Sequence, residues 1–113
     1  MFEFSRKYRL ISKIDFQSVF ANPHKASKKY LLALYKPNHL THARLGLIVA
    51  KHHVKRAVDR NRLRRLIRES FRHHQETLKG LDIIVLIRSK CSPLENNIIR
   101  ADIDSLWLNL KTP

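Results

Sequence analysis

The run Ile83-Ile84-Val85-Leu86-Ile87, bounded by Asp82 and Arg88, constrains this chain more than any other feature. Consecutive side chains of a strand point to opposite faces, so five large aliphatics in a row need apolar cover on both sides. The strand should therefore be central in a sheet with material packed above and below it. At 113 residues the chain is long enough for one domain with a real core. The run is far short of the roughly 18 apolar residues that a membrane span requires.

The flanking segments supply the cover. Ser12 and Asp15 have capping-box spacing and Asn22-Pro23 is a stop, which predicts a helix over about 13–21 with Phe16, Val19 and Phe20 as its apolar positions. Residues 22–28 read as a polar connection with room for a short edge strand. Tyr30 to Lys36 reads as a strand closed by Pro37-Asn38, with Tyr30, Leu32 and Leu34 on one side and Leu31, Ala33 and Tyr35 on the other. Arg44 to Ala50 is a further strand, and a hairpin between these two is the simplest pairing. From about Arg56 to Gln75 the period turns helical. Leu63, Leu66, Ile67, Ser70 and Phe71 form a buried stripe, and Asn61, Arg65, Arg68 and Arg72 lie opposite. Gly80 is a stop before the central strand. Ser92-Pro93 opens a last helix whose stripe is Ile99, Ile103, Leu106, Trp107 and Leu110. Two glycines, no repeats and no Gly/Ser linker point to a single domain over 1–113, with residues 1–11 as an extended N-terminal arm. The order predicts an α+β sandwich in which the strand, helix and strand of residues 44–88 make a parallel pair.

Charge separates the two parts of the chain. Residues 1–72 hold eighteen Lys and Arg against four acidic side chains, whereas 73–113 hold five of each, and the net charge is +14. The densest segment, 51–72, carries Lys51, Lys55, Arg56, Arg60, Arg62, Arg64, Arg65, Arg68 and Arg72 against Asp59 and Glu69 only. Seven of those nine are arginine, whose planar fork pairs bidentately with phosphate and stacks on bases. A merely solvated helix exterior would mix signs in i,i+4 pairs, so this face points to a polyanion, with nucleic acid ahead of a membrane surface. A lone Cys91 rules out an intrachain disulfide framework, and no secretory signal is visible at the start, so the cytoplasm is the expected compartment.

The segment Arg56-Ala57-Val58-Asp59-Arg60-Asn61-Arg62-Leu63-Arg64-Arg65-Leu66-Ile67-Arg68-Glu69-Ser70-Phe71-Arg72 resembles the arginine-rich signature of the bacterial ribonuclease P protein subunit, most specifically at Arg60-Asn61-Arg62. Arg9-Leu10, Asp15-Phe16 and Val19-Phe20 resemble that family's first helix. Arg44-Leu45-Gly46-Leu47 with Val49-Ala50-Lys51 resembles the strand entering the signature, and Asp82 to Leu86 its central strand. Together these cover most of residues 9–110, in order. The resemblance implies an αβββαβα sandwich, ribosomal protein S5 domain 2-like, with a left-handed βαβ crossover where periodicity alone would predict the usual right hand. It also implies a function: a subunit, inactive alone, that binds the catalytic RNA of ribonuclease P and the 5′ leader of precursor tRNA and promotes removal of that leader. Hydrolysis would rest on magnesium held mainly by the RNA. Lys51, Arg56, Arg60, Asn61, Arg62, Arg64, Arg65, Arg68 and Arg72 would face the catalytic RNA. Phe16, Phe20, Leu31, Ala33 and Tyr35 would line a leader cleft, where unpaired bases stack on aromatics beside a cationic rim. The chain has Ala33 where some members place an aromatic, so one platform is absent or supplied by Tyr35. It also has His52 where a second lysine is common, an imidazole mostly uncharged near neutral pH. One chain per RNA is expected, with neither membrane nor DNA as partner.

The sequence carries little chemistry of its own. His52-His53 and His73-His74 are adjacent pairs, which point apart on a helix or strand and do not chelate as i,i+4 pairs do, and with one cysteine and no HExxH motif no metal site is expected. Asp102 and Asp104 diverge on a helix, so no carboxylate cluster suited to two-metal phosphodiester cleavage is expected. A structural RNA-binding protein, such as a ribosomal component, would need the basic face alone. A DNA-binding regulator is disfavoured, because the arginine helix follows a strand rather than a helix and tight turn.

Overall fold

The structure is a computed structural model that describes residues 8–9, 13–90 and 96–110. The elements are α1 (Lys13–Phe20), β1 (His24–Ser27), β2 (Leu31–Pro37), β3 (Arg44–Ile48), α2 (Ala57–His73), a short α3 (Gln75–Leu78), β4 (Leu81–Ile87) and α4 (Asn96–Asn109). The four strands form one sheet in the order β1-β2-β4-β3, an α+β sandwich with the expected central strand. β4 pairs antiparallel with β2 and parallel with β3, so the strand–helix–strand unit makes the parallel pair expected of it.

The hairpin expected between β2 and β3 does not form, because β4 lies between them. β4 carries an unbroken run of large aliphatics on both faces, and inserting it buries Ile83, Ile84 and Val85 almost completely, whereas a β2–β3 hairpin would have pushed it to an edge. The junction also sets opposite charges face to face, with Arg44 and Lys36 on either side of Asp82.

Register divides the core in two. Leu31, Ala33 and Tyr35 of β2 stand level with Ile87, Val85 and Ile83 of β4 and pack under α2 and α4. Leu34 and Ile84 form a smaller cluster with Val19 of α1, bordered by Phe16, Leu32, Ile48 and Leu86. α1 thus covers one face, and α2 with α4 the other. The predicted stripes are buried as expected: Leu63, Leu66, Ile67, Ser70 and Phe71 on α2, and Ile99, Ile103, Leu106 and Trp107 on α4, with Leu110 just beyond its end. Trp107 is sealed by donating Nε1–H to Ser70 Oγ at 2.8 Å, and Ser70 in turn donates to Asp104.

The helix expected over 56–75 is two elements. Its last turn breaks at His74, whose amide bonds Phe71 O at 3.0 Å and whose ring nitrogen lies 2.8 Å from Ser70 O; that carbonyl is met by a side chain where the helix would otherwise continue. Asn22 takes φ 57°, the left-handed turn that ends α1, and Gly80 takes φ 85° before β4. Of the N-terminal arm, Tyr8 packs against the main core and Arg9 bridges Leu45 on the outer edge of β3. The capping Ser12, Cys91 and the Ser92-Pro93 helix start lie outside the described residues.

Candidate nucleic-acid interface

α2 is entered from β3 through a turn at 51–54, with Arg56 in extended backbone (φ −88°, ψ 132°) as its N-cap. Burial of the Leu63, Leu66, Ile67 and Phe71 stripe fixes the helix about its axis, so its cationic side can only face outward. Lys51, Arg56, Asn61, Arg62, Arg65 and Arg68 are exposed, while Arg60, Arg64 and Arg72 are half-buried. The half-buried ones are engaged. Arg60 donates to the carbonyls of Val54 and Lys55 at 3.0 and 2.9 Å, which ties the entering turn to the helix. Arg64 donates to Asn61 Oδ1 at 3.1 Å, and Arg72 pairs with Glu69. The arginines expected as one outward face thus split into half-buried clamps and an exposed front, in which Arg56 lies 3.9 Å from Asp59.

The front is crowded with like charge. Partial desolvation, then the nearby charges of Arg9 and Arg64, lowers the pKa of Arg68, so guanidinium groups from the arm and from α2 converge at the β3 edge. A phosphate between them would relieve that repulsion. Arg9 therefore joins the basic face, which the sequence did not foretell because its place depends on the arm pairing with β3.

The second expected surface needs a correction. Leu31 and Ala33 are fully buried and Tyr35 is 7% exposed, all under α2 and α4, so they do not line a cleft with α1. The residues of β2 that face α1 are Leu32, Leu34 and Lys36, one place out of register from the expected set. Alternation flips a whole strand when the wrong parity is chosen, and both parities here are apolar. The available signal was Lys36: the Leu32-Leu34-Lys36 row ends in a cation, as a partly open face does, while the Leu31-Ala33-Tyr35 row does not. Tyr35 instead lies against His24 of β1, ring centroids 5.4 Å apart.

Phe16 and Phe20 do share the α1 face, with ring centroids 6.5 Å apart; Phe16 packs on the small core and Phe20 is 46% exposed. Between α1 and the sheet runs a shallow groove floored by half-buried Leu32, Ile48 and Leu86, with Lys25 and Ser27 of β1 on the same face. Two ties hold α1 over it. Lys36 Nζ donates to Ser18 O at 3.1 Å and Ala21 O at 2.8 Å, satisfying carbonyls at the helix C-terminus. At the other end Arg44 grips Asp82 bidentately, at 2.8 and 2.6 Å, and lies 3.6 Å from Asp15.

His52 and His53 do not point apart as adjacent residues of a helix or strand would. They sit in the 51–54 turn with ring centroids 4.0 Å apart. Among the described residues no three His, Cys, Asp or Glu side chains gather as a metal site, and no helix is long and apolar enough to cross a membrane.

Comparison with known proteins agrees with this geometry. The family model for ribonuclease P matches residues 4–111. The chain is 48% identical, over 96% of its length and 81% of the relative's, to the ribonuclease P protein component of Pseudomonas aeruginosa. The Thermotoga maritima RNase P protein superposes with a TM-score of 0.75 at 29% identity, over 87% of this chain and 93% of that one. The Staphylococcus aureus RNase P protein gives 0.72 at 28% identity, over 90% of each.

Proposed function

Because the chain belongs to the ribonuclease P protein family, we propose that it is the RNA-binding subunit of a ribonucleoprotein that removes the 5′ leader of precursor tRNA, working in the cytoplasm as one chain per RNA. The outward front of α2, with Arg62, Arg65, Arg68, Asn61, Lys51 and Arg56, binds the catalytic RNA, joined by Arg9. The groove under α1 takes the single-stranded leader, its bases against Phe16, Phe20, Leu32 and Leu86 and its backbone along Lys25. The observation that carries this reading is the placement of the two surfaces on opposite faces of one sheet. A protein that only coats RNA needs the arginine front and no groove.

The chain contributes affinity and position, and the hydrolytic step falls to magnesium held by the RNA. Among the described residues, Asp15 and Asp82 bracket Arg44, Asp104 accepts from Ser70, and Glu69 pairs with Arg72, so these four carboxylates hold structural contacts.

The test mixes the protein with the ribonuclease P RNA of Pseudomonas aeruginosa and a precursor tRNA at low magnesium and moderate salt, each component also alone. Leader release that needs protein and RNA together is expected. Folded protein that binds the RNA without stimulating release would overturn the leader assignment and leave a structural RNA-binding protein.

A further inference from the structure

α2 and α4 lie side by side on the sheet, and a cavity of about 260 Å³ opens at their outer seam, lined by Arg62, Arg65, Leu66, Glu69, Asn96 and Arg100. Three arginines from two helices line it. Arg100 belongs to the part of the chain where charges balance, so the basic segment alone does not account for its presence. Among the described residues none of Arg62, Arg65 and Arg100 has an ion-pair partner, although Glu69 lines the same cavity. Glu69 is instead drawn to Arg72, with His73 at 3.4 Å.

We propose that this cavity holds one unpaired nucleotide of the partner RNA, its phosphate on Arg62, Arg65 and Arg100 and its base on Leu66, with the base edge met by Asn96 and Glu69. The inference rests on the reading of α2 as the RNA-binding face and adds α4 to it. Size favours a single nucleotide: the volume is just below the roughly 300–1,000 Å³ of ordinary small-molecule sites. Lining chemistry favours it too. A bare anion would be repelled by Glu69, whereas a nucleotide spans both characters, with phosphate for the guanidinium groups and base N–H groups for the carboxylate. Leu66 offers an apolar surface to a base plane, and the Asn96 amide both donates and accepts. Unstacked bases in loops and bulges are what proteins read in RNA by such edge contacts. Glu69, an acceptor only, favours a base with an exocyclic amine.

The test uses Arg100→Ala and Asn96→Ala, with Lys79→Ala as a control that removes one exposed charge elsewhere. Each is bound to Pseudomonas aeruginosa ribonuclease P RNA across a salt series, with folding checked by Trp107 fluorescence. Unpaired bases are footprinted with dimethyl sulfate for A and C and kethoxal for G. Arg100→Ala should bind about tenfold more weakly, as for one lost charged hydrogen bond, and its log-log salt slope should fall by about 0.7–0.9. Asn96→Ala should weaken binding at unchanged slope, and both variants should expose the same single nucleotide that the wild type protects. If Arg100→Ala behaves as Lys79→Ala does, or no nucleotide is deprotected, while Arg62→Ala and Arg65→Ala still weaken binding, the cavity is refuted and the α2 face stands. If all four leave binding unchanged, the α2 face itself fails, and the cavity with it.

Discussion

Replacing Arg44 by Met should lower the folding free energy by about 2–3 kcal/mol, and the structure supplies the reasoning. The Asp82 side chain is 10% exposed and accepts three hydrogen bonds, two from Arg44 at 2.8 and 2.6 Å and one from Asn38 Nδ2 at 2.9 Å. Without Arg44 the buried carboxylate keeps a single neutral donor. Breaking a fully buried pair from one side costs about 3–5 kcal/mol. The Arg44 side chain is 24% exposed, so water already screens part of the interaction and brings the cost below that range, to about 2–3 kcal/mol. At about 4 °C per kcal/mol for a domain of this size, the melting temperature should fall by about 8–12 °C. Urea unfolding followed by Trp107 fluorescence measures the same loss, with an unchanged m-value as the sign that the fold is retained. The double variant Arg44→Met/Asp82→Leu should recover most of it, because well-packed apolar residues replace a buried pair at little cost. A loss under about 1 kcal/mol in the single variant, or a double variant less stable than the single, would refute the account of Asp82 as a buried charge held by Arg44.

Other substitutions separate stability from binding. Ser70→Ala orphans the indole N–H of fully buried Trp107 and should cost about 1–3 kcal/mol, read as a lower urea midpoint. Arg60→Ala should weaken RNA binding and also destabilise the free protein, since Arg60 holds the Val54 and Lys55 carbonyls, whereas Arg62→Ala should weaken RNA binding and leave the urea midpoint unchanged. Leu32→Ser should reduce the preference of the assembled complex for precursor over mature tRNA, and Leu31→Ala should destabilise the fold by about 2–5 kcal/mol without that selective effect. Partial desolvation of its ring, then the charges of His52 and Lys90, holds the pKa of His53 below its ordinary value. The unfolded chain then takes up this proton more readily, so stability is complete above about pH 6.5 and declines as pH falls below it. His53→Gln should flatten that decline in urea midpoints measured from pH 8 to 5.

The elements themselves were readable because their signals are local. A stripe at i, i+3, i+4 and i+7 on α2 and α4, a stop at Asn22-Pro23 and a doubly apolar run at β4 each depend on a few neighbouring residues. The arginine-rich signature was readable for the same reason, being contiguous. The break at His74 escaped because it turns on one side chain meeting a backbone carbonyl.

By itself the sequence determined the composition of the layers, the central place of β4, the outward charge of α2 and the family resemblance. Only the tertiary structure decided which strand lies beside which, and with it which face of β2 meets α1. Leu31, Ala33 and Tyr35 are as apolar as Leu32 and Leu34, and Lys36 at the strand's end is the one local cue that separates the buried row from the groove. Pairing energy is non-local: β4 separates β2 from β3 because burying both its faces outweighs the shorter loop of a hairpin. The same applies to the meeting of Arg9 with Arg68 and of Arg100 with Arg62 and Arg65. Residues distant in sequence become one charged surface only when the sheet has set where each helix and arm lies.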